Sequence, residues 1–194
     1  IADFDFTILD YIAAAQHEWL LFTDCDSVPK ADLVEVHRRE SDPRRLLCGG
    51  CVRLSEEASR AVTPESVLSG DFEKHLNAGR RRKLRHKHWI NLFHIAVRRP
   101  RRPHNLGLNM SCSRKAMLDI NGYDHNFRGW GNADGDVRDR LRRLGVMPKS
   151  VMHTAVVFHL WHPEHPTRRQ RLNREYARRA KVPARCESGL DSLL

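Results

Sequence analysis

The apolar positions of this chain shift repeatedly between helical spacing and short unbroken runs. Phe6, Leu9, Ile12 and Ala13 fall near helical spacing, which predicts an amphipathic helix over residues 4–16. It leads directly into Trp19-Leu20-Leu21-Phe22-Thr23, an apolar run that predicts a buried strand. A helix is expected over 31–39 after Pro29, with Leu33, Val34 and His37 on one face. A second strand is expected over 46–54, with Cys48-Gly49-Gly50-Cys51 inside it. Residues 71–89 form a basic amphipathic stretch, and two prolines within 98–104 preclude regular helix and predict a mobile loop. The chain then predicts extended structure over 105–113, a helix over 114–120 stopped by Asn121-Gly122, and a helix over 133–144 ended by Gly145. A β-branched strand over 151–160 and a charged helix over 168–180 follow, and the tail beyond Pro183 is expected to be poorly ordered. Strands alternating with helices predict one α/β domain around a mostly parallel or mixed sheet, and 194 residues suffice for a sizeable core.

Two polar clusters interrupt this pattern. Asp24-Cys25-Asp26 closes the first apolar run, and the two-residue period of a strand predicts both carboxylates on one side of the chain. Such a pair suits a hard divalent cation resting on carboxylates and substrate phosphates; capping aspartates ahead of Ser27-Val28-Pro29 are the plainer alternative. The second cluster runs from Gly122 to Asp136 and contains Gly129-Trp130-Gly131, in which glycines admit a ligand and the indole offers a platform for a sugar ring. Asn132 is the expected N-cap of the following helix. Asp134, Val137, Leu141 and Leu144 share a helical face, so Asp134 extends the inward face, whereas Asp136 is expected to be solvated or paired with Arg140. Cys48 and Cys51 lack the further ligands that a zinc site needs and are expected to be a buried strand pair.

Composition narrows the partners. Lys and Arg outnumber Asp and Glu by 34 to 24, giving a net charge of +10 and a pI near 9.9, which favours phosphates, nucleic acid or anionic lipid. No apolar run approaches the ~18 residues of a membrane span. Asp3, Asp5 and Asp10 occupy the positions where a signal peptide would be basic or apolar, so none is expected. Five cysteines, an odd number, favour a reducing compartment.

Asp24-Cys25-Asp26, Gly107-Leu108-Asn109-Met110-Ser111, the Gly122 to Asp136 segment and His159-Leu160-Trp161-His162 together resemble the inverting nucleotide-sugar-dependent glycosyltransferases of the GT-A fold, family 2-like with a galactosyltransferase-type carboxyl-terminal segment. The resemblance implies a Rossmann-like three-layer sandwich over residues 1–182, with a mostly parallel central sheet. It also implies an absent first βα unit, because this chain begins at the helix that normally follows the nucleotide-holding strand and loop. By the same resemblance Asp24 contacts the nucleotide or ribose, Asp26 binds the metal with His159 or His162, and Asp134 is the general base. Trp130 borders donor and acceptor. Gly129, Gly131 and Asn109 join the acceptor side, and Arg98 and Arg99 close over the diphosphate. Ala133 stands where the family usually has a glutamate that holds acceptor hydroxyls.

The implied reaction moves a sugar from a nucleoside diphosphate sugar, UDP-linked, to a hydroxyl of a saccharide or lipid-linked acceptor. Mn²⁺ or Mg²⁺ is the implied cofactor. Two rival readings stand beside it: a basic nucleic-acid-binding module, which leaves the aspartates and the Gly-Trp-Gly segment unexplained, and a degenerate glycan-binding homologue. The charge further suggests a cytoplasmic protein in peripheral contact with the anionic face of a membrane.

Overall fold

Leu9 and Ile12 are the buried positions of α1 (Ile8–Ala14), the first element of a computed structural model that describes residues 8–104, 107–164, 170–179 and 182–193. Phe4 and Phe6 of the expected helix lie outside the described residues. The strand after it is β1 (Trp19–Phe22), and a turn leads to β2 (Ser27–Pro29) and α2 (Leu33–Arg39). Helix α2 buries Leu33, Val36 and His37, while Val34, expected on that face, is 66% exposed.

The second apolar run does not form one strand. It splits at Gly49 into β3 (Arg45–Cys48) and β4 (Gly50–Arg53), which join different sheets. A Cβ on Gly49 would collide with the Asn109 carboxamide, and one on Gly50 with the Met152 carbonyl, so the double glycine permits a close crossing. The run 151–160 is strand only in its second half: β6 (Met147–Ser150) ends ahead of it, a turn intervenes, and β7 (Val156–His159) follows. Both cysteines flanking the break are free thiols, and burial pushes Cys48 up to about 12.

Short helices α3 (Glu56–Arg60) and α4 (Pro64–Ser69) are capped by Ser55 and Thr63. A long helix, α5 (Ala78–Ala96), replaces the expected stretch over 71–89. After the Arg/Pro segment come β5 (Met110–Ser113), α6 (Arg114–Asp119) and α7 (Ala133–Arg143). Left-handed Asn121, Gly122 and Gly145 turn the chain after α6 and α7, as the sequence predicts.

The first sheet has the order β1-β5-β3-β6 and the second β2-β7-β4. Among the described residues two pairings are parallel, β3 with β6 and β4 with β7, and three are antiparallel. The α/β character holds, but the sheets are mixed rather than mostly parallel. The parallel partners are β3 with β6 and β4 with β7, while β1 and β2 pair antiparallel with β5 and β7.

A polar knot locks the sheets. Buried His37 donates from Nε2 to Asn109 Oδ1 at 2.9 Å, and its Nδ1 accepts from Ser111 Oγ at 2.7 Å. Asn109 Nδ2 donates to the Gly50 and Ala155 carbonyls, one on each strand of the second sheet's parallel pair or its approach. Burial lowers the His37 pKa, so it is neutral, as this pattern requires.

Two carboxyl-terminal expectations are corrected. Residues 168, 169 and 180 lie outside the described residues, and 170–179 form turns with one 3₁₀ turn, Tyr176–Arg178, instead of a helix. Arg171 is left-handed and interrupts helical geometry there. The tail is not loose: Cys186 and Leu190 are buried, Leu190 packs in the cluster with Leu9 and Ile12, and Asn121 binds the Cys186 carbonyl at 2.9 Å.

Candidate functional site

Asp24 and Asp26 lie in the turn between β1 and β2, closed by the Ser27 amide on the Asp24 carbonyl at 3.1 Å, and not within the strand. The strand-period argument for their shared side therefore fails, and register supplies the placement instead. Ser27 pairs with His159, and the Leu160 amide donates to the Asp26 carbonyl at 2.8 Å, which sets the end of β7 beside Asp26. His159 Nε2 lies 3.7 Å from Asp26 Oδ1, and His162 Nε2 lies 3.4 Å from Oδ2. One ligand atom from each of the three falls within 4.8 Å of the others. Both histidines, not one or the other, thus join the cluster.

The donor set fits a divalent cation. His159 Nδ1 donates to the Leu160 carbonyl at 2.8 Å and His162 Nδ1 to the Pro163 carbonyl at 2.6 Å. With Nδ1 engaged in this way, each ring turns its Nε2 toward the carboxylate, where a deprotonated nitrogen can ligate a cation. Lone pairs facing carboxylate oxygens repel unless a cation or protons lie between them. Asp26 Oδ1 is also buried without a hydrogen-bond partner. An oxygen and two imidazole nitrogens match Mn²⁺ better than Mg²⁺. Partial burial and the charge of Asp26 raise the pKa of Asp24, against a lowering by His159 and His162, so Asp24 shares the cluster's field.

The second half of the site is built on Tyr123. Its ring meets Phe22, at the end of β1, edge-on at 6.3 Å, and its hydroxyl donates to Asp134 Oδ1 at 3.2 Å. Gly107 donates its amide to the Asp134 carboxylate, and a Cβ at Gly107 would collide with that group. Asp134 occupies the first turn of α7, beside buried Arg138. Burial raises its pKa, while the Gly107 and Tyr123 hydrogen bonds pull it down and Asp24 adds to the rise. A helix N-terminus favours the anion and a weak base, and desolvation makes this carboxylate a stronger one. Asn132 is the N-cap residue of α7, as expected, but with a left-handed backbone and no side-chain bond to the first amides. Asp136 is paired and not solvated: it holds Arg140, which is fully buried, at 2.6 Å, and Arg140 also donates to the Ile120 and Gly122 carbonyls.

Trp130 is 48% exposed between left-handed Gly129 and Gly131. Buried Asn173 holds this loop, accepting from the Arg128 amide and donating to the Arg128 and Gly131 carbonyls. Three expected site residues take other roles. Asn109, placed on the acceptor side by resemblance, is fully buried and committed to the polar knot. Arg98 and Arg99 are exposed; their carbonyls accept from Arg142 of α7, and no described contact joins them to Asp24, Asp26 or Asp134. Tyr123, Gly107 and Asn173 were missed. The first two stand inside motifs already singled out, but nothing local marks Asn173.

Residues 92–163 match the family model described as the N-terminal domain of galactosyltransferase. That match, over less than half of the chain, indicates a glycosyltransferase enzyme of the galactosyltransferase type. No curated protein gives a significant match to the chain. Tyr123, Trp130, Asp134, His159 and His162 lie inside the matched segment of the glycosyltransferase domain, and Asp24 and Asp26 lie ahead of it.

Proposed function

We propose that this glycosyltransferase transfers a sugar from a UDP-linked donor to a hydroxyl of a saccharide or lipid-linked acceptor, with inversion at the anomeric carbon. The convergence of Asp26, His159 and His162, with both Nδ1 atoms hydrogen-bonded to carbonyls away from the centre, is the observation that carries this reading. A divalent ion held by these three residues would supply Lewis-acid neutralisation of the leaving diphosphate.

The chain's own groups divide the remaining work. Asp24, sharing that field, is positioned to meet the ribose. Asp134 Oδ takes the proton of the acceptor hydroxyl as that oxygen attacks from the face opposite the nucleotide. Tyr123 and Gly107 orient the carboxylate, and their bonds keep it available as the anion despite burial. Trp130 offers a flat apolar face on which an acceptor ring lies, and the left-handed glycines on either side leave room for it.

Thermal unfolding tests the divided site. UDP and Mn²⁺ together are expected to raise the melting temperature more than the sum of either alone, since a ligand at a hundredfold its Kd adds about 2.7 kcal/mol. Asp26→Asn should remove the Mn²⁺-dependent part. An additive response, or an Mn²⁺ response that survives in Asp26→Asn, would overturn the metal assignment.

A further inference from the structure

Helix α5 has a face that the transferase site does not use. Leu84, Asn91 and His94 are its buried residues, and His88 on the same side bonds Ser150 at the end of β6 at 3.0 Å. On the opposite side Trp89, Ile90, Phe93 and Val97 are 68%, 40%, 62% and 53% exposed. At 100° per residue Trp89, Phe93 and Val97 follow one line of about 12 Å, with Ile90 beside it. Arg82 and Arg85 occupy the same face one to two turns earlier, and exposed Arg98, Arg99 and Arg101 follow the helix end. The 19 residues of α5 contain no acid.

We infer that this face of α5 docks on an anionic lipid surface, with Trp89, Ile90, Phe93 and Val97 entering the headgroup boundary and the flanking arginines meeting lipid phosphates and carboxylates. Three physical considerations select this occupant. Basic charge at both ends of an apolar stripe is complementary to a negative leaflet, which draws polybasic segments to within a Debye length. A tryptophan with a phenylalanine and two aliphatic side chains suits the interface of water and acyl chain, where indole is favoured. Ile90 and Val97 offer no ring on which a nucleic-acid base could stack, so the stripe is a poor match to a nucleic acid. A second copy would set one acid-free helix against another, and like charges would oppose it.

The orientation follows from the helix. Docked along the stripe, α5 lies in the membrane plane, and β6, which packs against its inner side, lies on the side away from the lipid. The proposal is independent of the transferase reading, because neither UDP nor Mn²⁺ takes part in it.

Vesicle sedimentation of the full chain tests it. The protein is expected to sediment with phosphatidylcholine vesicles containing phosphatidylserine, to stay in solution with phosphatidylcholine alone, and to be released by salt. Trp89→Ser with Phe93→Ser should weaken partitioning by about tenfold or more. Arg82→Glu with Arg85→Glu should weaken it by at least about fivefold per site. These side chains are exposed, so the melting temperature of each variant should match the wild type. Brominated lipid should quench the wild-type emission, and Trp89→Phe should lose most of that quenching while still sedimenting.

Failure to sediment at low salt would overturn the proposal, as would equal binding to uncharged vesicles. So would unchanged binding in the Trp89→Ser, Phe93→Ser variant. Concentration-dependent dimerisation abolished by that variant would assign the stripe to a second copy. RNA binding abolished by it, without vesicle binding, would assign it to nucleic acid. An intact response to UDP and Mn²⁺ alongside failed vesicle binding would leave the transferase reading standing.

Discussion

Asp134→Asn separates the chemistry of this site from its architecture. Asparagine keeps an oxygen where Asp134 Oδ1 accepts from Tyr123 at 3.2 Å and lies close to the Gly107 amide, so the turn into α7 should survive. What the variant lacks is a site for the acceptor proton. General-base assistance is worth roughly 10²- to 10⁴-fold, or about 2.7 to 5.4 kcal/mol of barrier at about 1.36 kcal/mol per decade. Stability should move the other way. Burial raises the folded pKa of Asp134, so its contribution to stability is present below the ordinary carboxylate range and is lost as pH rises through the raised value. At pH 7 the buried charge is therefore a net cost to the fold, and the neutral amide should melt at the same temperature or higher. The assay is UDP release from UDP-sugars across a panel of saccharide acceptors, run beside thermal unfolding and the UDP–Mn²⁺ shift. Expected are turnover reduced at least a hundredfold, an intact ligand shift and an undiminished melting temperature. Turnover within tenfold of wild type would refute the base assignment.

Three further outcomes follow from named contacts. Tyr123→Phe removes a hydrogen bond that favours the Asp134 anion, so the acid limb of kcat/KM should move to higher pH; an unchanged or lower limb would show that the bond does not tune the base. Arg140→Met leaves Asp136 without its closest partner and strips the Ile120 and Gly122 carbonyls, and should cost about 3–5 kcal/mol in urea unfolding; a loss below about 1 kcal/mol would refute the buried pairing. Leu190→Ala should cost at least about 2 kcal/mol by the same measurement, whereas a tail detached from the core would show no change.

The elements legible in the sequence were those with local causes. Helices α6 and α7 end where Asn121-Gly122 and Gly145 take left-handed backbone, and such residues announce themselves. The broken strands were not legible, because an apolar run reads alike whether it serves one sheet or two; what divides β3 from β4 is Asn109, about sixty residues away. At the site, residue types pointed to Asp26, His159, His162 and Asp134, but the physical reasons differed in part. Asp26 is aimed by the pairing of β2 with β7 and not by strand alternation. Asp134 is tuned by desolvation more than by the helix terminus. Asn109 was assigned to the acceptor side because nothing in its neighbours reveals that His37, Gly50 and Ala155 converge on it. The order of the tail was hidden for a similar reason, since Cys186 and Leu190 find partners only after α1 and α6 are in place.

The pairing of β2 with β7 bears on modularity. Residues 92–163 alone would carry β5, β6 and β7 and both imidazoles, but not the carboxylate of Asp26 or the strand that holds β7 in register. Nor would they contain Asn173, which fastens the Trp130 loop from beyond the segment's end. On the proposed reading, the stretch by which the enzyme type is recognised is thus not a unit that could be grafted elsewhere with its activity intact. A transplant that keeps the chemistry must bring the preceding turn and the following clasp with it, making the smallest exchangeable piece most of the chain.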